Sequence, residues 1–218
     1  MKPNDGSVDC VANHFTITIQ NHGPYKESKP DTLRIKRPDN LTDSQYYILE
    51  NYLSNLYDAS ELLYNVCEFA NTTDVPTVVV FFGDHLPYFD PEYKNYEAIG
   101  YNILGQDADT YIRQHSTPYI IWGNNAFKKN KTHSLKANGG LISSNFLSVK
   151  MLEYINADLS PYFMFVKDIS KKASVISNDI NIIGGELTKE ISDSIKEDFN
   201  NYRILQYYNL NEYKKPVK

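Results

Sequence analysis

The stretch Val78-Val79-Val80-Phe81-Phe82-Gly83-Asp84-His85-Leu86-Pro87 decides how this chain is read. Thr77 to Phe82 are six consecutive apolar or β-branched residues, the pattern of a strand buried on both faces, and such strands belong to parallel sheets covered by helices. Pro76 and Pro87 frame the run. In open sheets of this kind ligands bind beyond the carboxyl ends of the strands. The carboxylate of Asp84 and the imidazole of His85 therefore stand where chemistry is usually placed.

Working upstream, His14-Phe15-Thr16-Ile17-Thr18-Ile19-Gln20 alternates and is β-branched, which predicts a strand, and Asn21-His22-Gly23-Pro24-Tyr25 follows as a turn. Again a strand ends on a histidine. Residues 26–40, charged and Pro-containing, form a surface loop, and Thr42-x-x-Gln45 has the form of a capping box. Behind it Ile48, Tyr52, Leu56, Leu63, Val66 and Ala70 recur at helical spacing, giving a long helix over 43–70. Strand, helix and strand then complete a βαβ unit. Its right-handed crossover puts both strand ends on one sheet edge and brings His22 near Asp84 and His85.

Downstream, Pro118-Tyr119-Ile120-Ile121-Trp122-Gly123 is a third short strand. A helix capped near Ser143 or Ser144 carries Phe146, Leu147, Met151, Leu152 and Ile155 on one face, and Ser160-Pro161 opens another through about Lys171. Val175-Ile176 and Ile180 to Ile183 form a hairpin, and a closing helix runs from Thr188 with Ile191, Ile195, Phe199 and Tyr202. At 218 residues the chain fits one domain, with residues 1–13 a loose lead-in.

Composition narrows the function. With 22 basic and 27 acidic residues the net charge is −5, and the short Lys128-Lys129-Asn130-Lys131 segment reads as a solvated loop, so a nucleic-acid partner is excluded. No apolar run reaches the length of a membrane span and no charged-then-apolar leader is present, so the chain as given reads as soluble. Cys10 and Cys67 leave the redox compartment open. The 18 tyrosines are spread along the chain, a compositional bias before a sugar-binding platform. Neither a Gly-rich phosphate loop nor a Gly-x-Ser-x-Gly elbow is present.

Asp and neutral His both ligate divalent cations, and neighbours on a turn can converge on one ion. Asp84 and His85 are thus candidate metal ligands, against the plainer reading of a turn-capping Asp and a structural His. His22 is either a turn histidine or a donor to an anionic oxygen. His14, His115 and His133 read as structural or solvent-exposed, His115 because it precedes its strand at the edge away from the site.

The Ile17-Thr18-Ile19-Gln20-Asn21-His22-Gly23-Pro24-Tyr25 segment, the Val78 to Pro87 segment, Thr117-Pro118-Tyr119-Ile120-Ile121-Trp122-Gly123-Asn124 and Ile142-Ser143-Ser144-Asn145-Phe146-Leu147 together resemble the sulfatase-like phosphoglycerol transferases. These include the lipoteichoic acid synthases and the membrane-oligosaccharide glycerophosphotransferases of the alkaline phosphatase superfamily. Four motifs in order over residues 14–150 carry the resemblance, and Arg203 to Tyr208 is more loosely similar to the family's tail.

The resemblance implies an α/β fold, a three-layer α/β/α sandwich with a mostly parallel sheet. It implies one divalent metal, manganese or magnesium, held partly by Asp84 and His85, and a substrate phosphate or glycerol contacted by His22. A threonine nucleophile takes glycerophosphate from a phosphatidylglycerol-like lipid and passes it to an acceptor hydroxyl on a glycan; sulfatase relatives use a modified cysteine or serine. The family's nucleophile and further acidic ligand lie upstream of the Asn-His-Gly-Pro-Tyr motif, where this chain has only 20 residues. Thr16 and Thr18 lie within the predicted strand and do not replace the nucleophile. The expectation is therefore a C-terminal portion of a larger enzyme anchored in the membrane through a missing N-terminal segment, working on the extracytoplasmic face, and inactive alone. The alternatives are a non-catalytic cell-surface module that binds glycan or protein with the same sandwich and, among enzymes, a phosphomutase or phosphodiesterase of the superfamily.

Overall fold

The computed structural model describes residues 12–19, 21–129 and 138–211. Cys10, Gln20, Asn130, Lys131, His133 and most of the lead-in lie outside the described residues. The chain divides into two compact units, residues 1–64 with 87–98, and residues 65–86 with 99–218.

In the first unit, α1 begins as the capping box predicts. The Gln45 N–H donates to Thr42 Oγ1 at 3.3 Å and the Thr42 N–H to Gln45 Oε1 at 3.0 Å, satisfying two amides that the first helical turn leaves over. The helix runs Asp43–Asn71, its residues to Tyr64 belonging to this unit. Leu41, Tyr46, Ile48 and Leu49 are buried, with Tyr25, Phe89 and Tyr96. Glu50 is fully buried as well, because its carboxylate accepts the Arg34 and Ile35 N–H groups at 2.6 and 2.8 Å and so pins the 26–40 loop onto the helix. A short α2, Lys94–Ala98, is capped by Asp90, whose oxygens accept the Lys94 and Asn95 amides at 2.9 and 3.0 Å.

Residues 12–19 form no strand. Phe15, Ile17 and Ile19 are 73, 74 and 77 % exposed, so the alternation seen in the sequence has no partner ladder and no face to bury. The predicted βαβ unit is absent among the described residues, and with it the topological reason for His22 and Asp84 to share an edge.

Among its described residues the second unit holds two sheets, both antiparallel. β1, Val78–Phe82, pairs with β2, Tyr119–Gly123, in the register Val78 to Gly123 through Phe82 to Tyr119. This corrects the parallel sheet expected from the apolar run, and β1 is half-buried, Phe82 exposed, where burial on both faces was expected. After α3, Ala108–His115, residues 116–118 lead into β2, which starts beside the end of β1, where the Gly83 N–H donates to Pro118 O at 3.1 Å. At the far end the Asn124 N–H donates to Thr77 O at 2.9 Å and closes the ladder. A continuous apolar run specifies a strand but not the direction of its partner.

Asn124, fully buried, staples this region. Its Oδ1 accepts the Thr77 and Phe127 amides at 3.0 and 2.9 Å, and its Nδ2 donates to Ala70 O and Val75 O at 2.7 and 2.9 Å. One side chain thus ties the end of α1, the entry to β1 and the start of α4, Asn125–Lys129. Lys128 and Lys129, expected in a loop, end that helix, where cations suit its carbonyl terminus.

A 3₁₀ turn, Ser144–Phe146, leads into α5, Leu147–Ile155, which ends on Asn156 in the left-handed conformation at φ 58°. Ser143 does not cap the turn through its hydroxyl, which accepts the Ile176 N–H at 2.7 Å instead. α6, Pro161–Lys172, starts as predicted, with Ser160 Oγ accepting the Phe163 amide and Pro161 in the first turn. β3, Ala173–Val175, β4, Asn181–Ile183, and β5, Glu186–Thr188, form the second sheet, one strand more than the predicted hairpin. α7, Asp193–Asn211, is the last element among the described residues. Phe146, Val149, Val166, Ile169 and Tyr202 make one core cluster, and Ala173, Ile195 and Phe199 another.

Candidate metal-binding loop and substrate histidine

The loop after β1 is held by the start of β2. Thr117 Oγ1 donates to Gly83 O at 2.8 Å, and a Cβ on Gly83 would come within 3.1 Å of Thr117 Cβ, which explains the glycine at this turn. His115 accordingly lies two residues from the segment that braces the loop, not at a remote edge as the parallel reading had it. Its ring stacks on Tyr111 at 4.2 Å and its Nδ1 meets Tyr111 O at 2.8 Å, a structural role.

Beyond Gly83 the side chains of Asp84 and His85 are 84 and 63 % exposed. Asp84 Oδ1 accepts the His85 N–H at 2.9 Å, which fixes the carboxylate against its own turn. His85 Nδ1 lies 2.7 Å from Leu86 O, and since a carbonyl can only accept, Nδ1 carries the proton and the ring's lone pair sits on Nε2. Nε2 is 3.7 Å from Asp84 Oδ2. A carboxylate oxygen and an imidazole lone pair thus converge, with a backbone carbonyl orienting the imidazole as such carbonyls orient metal-bound histidines. The pair fits part of a divalent-cation site. A divalent ion such as Mn²⁺ or Mg²⁺ takes about six donors, and among the described residues no group of three or more His, Cys, Asp and Glu side chains gathers to hold one.

His22, in the first unit, is built in a parallel way. Its Nδ1 lies 2.6 Å from Gly23 O, and its side chain is exposed. The turn below is rigid: the His22 N–H donates to Ile19 O at 3.0 Å, and Tyr25 donates its hydroxyl to Asn21 O at 2.7 Å. Tyr25 is buried edge-on against Tyr52 and tilted against Phe89, 5.4 and 5.7 Å between centroids. Burial, reinforced by the neighbouring Tyr52, pushes its phenol up to about 12. Gly23 packs under this turn, where a Cβ would come 3.2 Å from Tyr88 O. Asn21 Oδ1 is buried with no hydrogen-bond partner among the described residues.

The structure therefore brings Asp84 and His85 together on one loop and sets His22 on a separate, equally braced turn of the other unit. Thr117 and Asn124, which hold the loop and its strand, were visible only as parts of the Thr117 to Asn124 motif and carried no catalytic signature.

The sulfatase family model matches residues 14–157, more than half of the chain. A protein of Rhizobium meliloti (strain 1021), provisionally named a cyclic beta-1,2-glucan modification protein, is 28 % identical over 204 residues, covering 88 % of this chain and 30 % of the relative. The chain thus spans less than a third of that relative's length. No solved structure matches it. The matched span begins at the strand-like segment before His22, runs through the Asp84-His85 loop and ends just past α5: the chain belongs to the sulfatase family of the alkaline phosphatase superfamily.

Proposed function

We propose that the chain is the C-terminal portion of a metal-dependent phosphoglycerol transferase or sulfatase-type hydrolase that acts on phosphate or sulfate esters at the extracytoplasmic face of the cell membrane. The observation that carries this reading is the loop in which Asp84 Oδ2 and His85 Nε2 stand 3.7 Å apart with the imidazole tautomer set by Leu86 O. Family membership and the relative named for glucan modification support the same class. Among the described residues no helix is long and apolar enough to cross a membrane, so the anchor belongs, on this reading, to a preceding segment.

Manganese or magnesium, bound in part by Asp84 and His85, would supply the positive charge that polarises phosphoryl or sulfuryl oxygens. The chain's own groups do the rest of what can be assigned here. Asp84 contributes a carboxylate oxygen already oriented by the His85 amide, at little cost in ordering. His85 contributes Nε2. His22, with Nδ1 committed to Gly23 O, meets the ester's non-bridging oxygens through Nε2, and donates only as the imidazolium; as such it offsets charge that grows on those oxygens. The nucleophile and the remaining ligands lie in the preceding segment of the longer protein, which leaves this chain inactive alone. The donor is a phosphatidylglycerol-like lipid and the acceptor a glycan hydroxyl.

The test is turnover by the full-length protein. His85→Ala and Asp84→Ala should each lower it on the order of 100-fold or more, excess Mn²⁺ restoring part of the loss, while His22→Ala should lower kcat/KM for the ester about 10- to 100-fold. Release of glycerophosphate from phosphatidylglycerol against release of sulfate from an aryl sulfate separates the two reactions. Full turnover in His85→Ala would remove the metal assignment.

A further inference from the structure

A second built feature lies in the second unit, apart from the metal loop. A cleft of about 340 Å³ opens among α3, the 176–179 turn, the 3₁₀ turn and α7, which is within the size range of small-molecule sites. α7 gives it Phe199, Tyr202, Arg203 and Gln206, residues spaced three, four and seven apart and hence on one helix face. The opposite wall carries Tyr111, Asn145 and Asp179.

We propose that this cleft binds an uncharged, hydroxyl-rich ligand, the end of a sugar chain. Its polar groups are prearranged. Tyr202 is buried, and its hydroxyl accepts from Asn145 Nδ2 and, at 2.8 Å, from Gln206 Nε2, which leaves its own proton to donate. Asn145 Oδ1 is buried with no hydrogen-bond partner among the described residues. Tyr111 reaches across to Asp179 Oδ2 at 3.2 Å and to Ser177 Oγ at 3.3 Å, and Ser177 Oγ also accepts the Ile180 amide at 2.9 Å, so that wall is locked.

Charge selects the ligand class. Asp179 and Arg203 line the same cleft, yet neither forms an ion pair among the described residues. A carboxylate and a guanidinium held apart over amides and phenols give a formally neutral lining that can bridge vicinal hydroxyls. Asp179 opposes an anion. No residue of the Asp84-His85 loop lines the cleft, so glucoside binding there is read separately from the proposed reaction.

The experiment is ¹H–¹⁵N chemical-shift titration of the 218-residue chain with methyl β-D-glucopyranoside and, separately, with glycerol 3-phosphate. The glucoside should shift amides of α7 and the 176–179 turn with a Kd on the order of 1 mM. Asp179→Ala and Arg203→Ala, both on exposed side chains, should each weaken it about tenfold or more with unchanged melting temperatures. Asp84→Ala should bind as the parent does. Absence of glucoside shifts at these amides, equal response to glycerol 3-phosphate, or undiminished binding in both cleft variants would overturn the proposal.

Discussion

Asn124 shows how far one side chain can organise a region. Its carboxamide meets four backbone groups of three elements, so Asn124→Ala leaves those groups without partners and should cost about 3 kcal/mol or more, read as a lowered urea midpoint. A change below about 1 kcal/mol would mean that water replaces the side chain. Tyr25 gives a pH-dependent counterpart. Because its phenol titrates near 12 in the fold and near 10 in the unfolded chain, the stability it contributes is complete below pH 10 and lost as pH rises from 10 toward 12. Urea midpoints should fall across that window, less steeply in Tyr25→Phe; an identical fall in the variant would assign the effect to other tyrosines. At this scale the sequence placed His22, Asp84 and His85 in turns, and the structure holds each on a short braced turn. The sequence was silent about Asn124, whose role depends on Ala70 and Thr77, 54 and 47 positions away.

Helices were the more legible elements. The capping box at Thr42 and the Ser160-Pro161 start are local signals, written within four residues, and both are realised. Strand partners are not local. The apolar run at Val78 produced a strand, but its partner β2 runs antiparallel, a direction that the strand's own composition does not encode, and the alternating 14–19 segment lacks a ladder altogether. Short helices such as α3 escaped notice because eight residues offer little periodicity, although Asp107, accepting the Thr110 amide at 2.8 Å, is a plain cap. The glycine ending β2 has its own explanation: a Cβ on Gly123 would overlap the ring of Phe127, itself stacked on Tyr154. Gly123→Ala should therefore cost about 1–3 kcal/mol, measured by chemical denaturation, whereas an unchanged midpoint would show that the Phe127 ring moves freely.

Across the whole molecule, family membership was legible because it rests on ordered motifs and not on strand direction; the sulfatase match spans the segments that carry His22 and Asp84-His85. The parallel sheet was read from one apolar run and the α/β/α sandwich from the family resemblance; the mixture of helices and sheet is realised, and among the described residues the sheets are two small antiparallel ones. Half-buried β1 and the exposed Phe15, Ile17 and Ile19 agree with the proposal that further chain completes the enzyme, as does the relative of more than three times this coverage. The central claim is that the Asp84-His85 loop ligates a divalent cation. Its most direct test is anomalous scattering at the manganese edge from crystals of the full-length protein soaked in Mn²⁺. The account predicts a peak bound to an Asp84 carboxylate oxygen and His85 Nε2, lost in His85→Ala; a manganese peak elsewhere, with both side chains unligated, would contradict it.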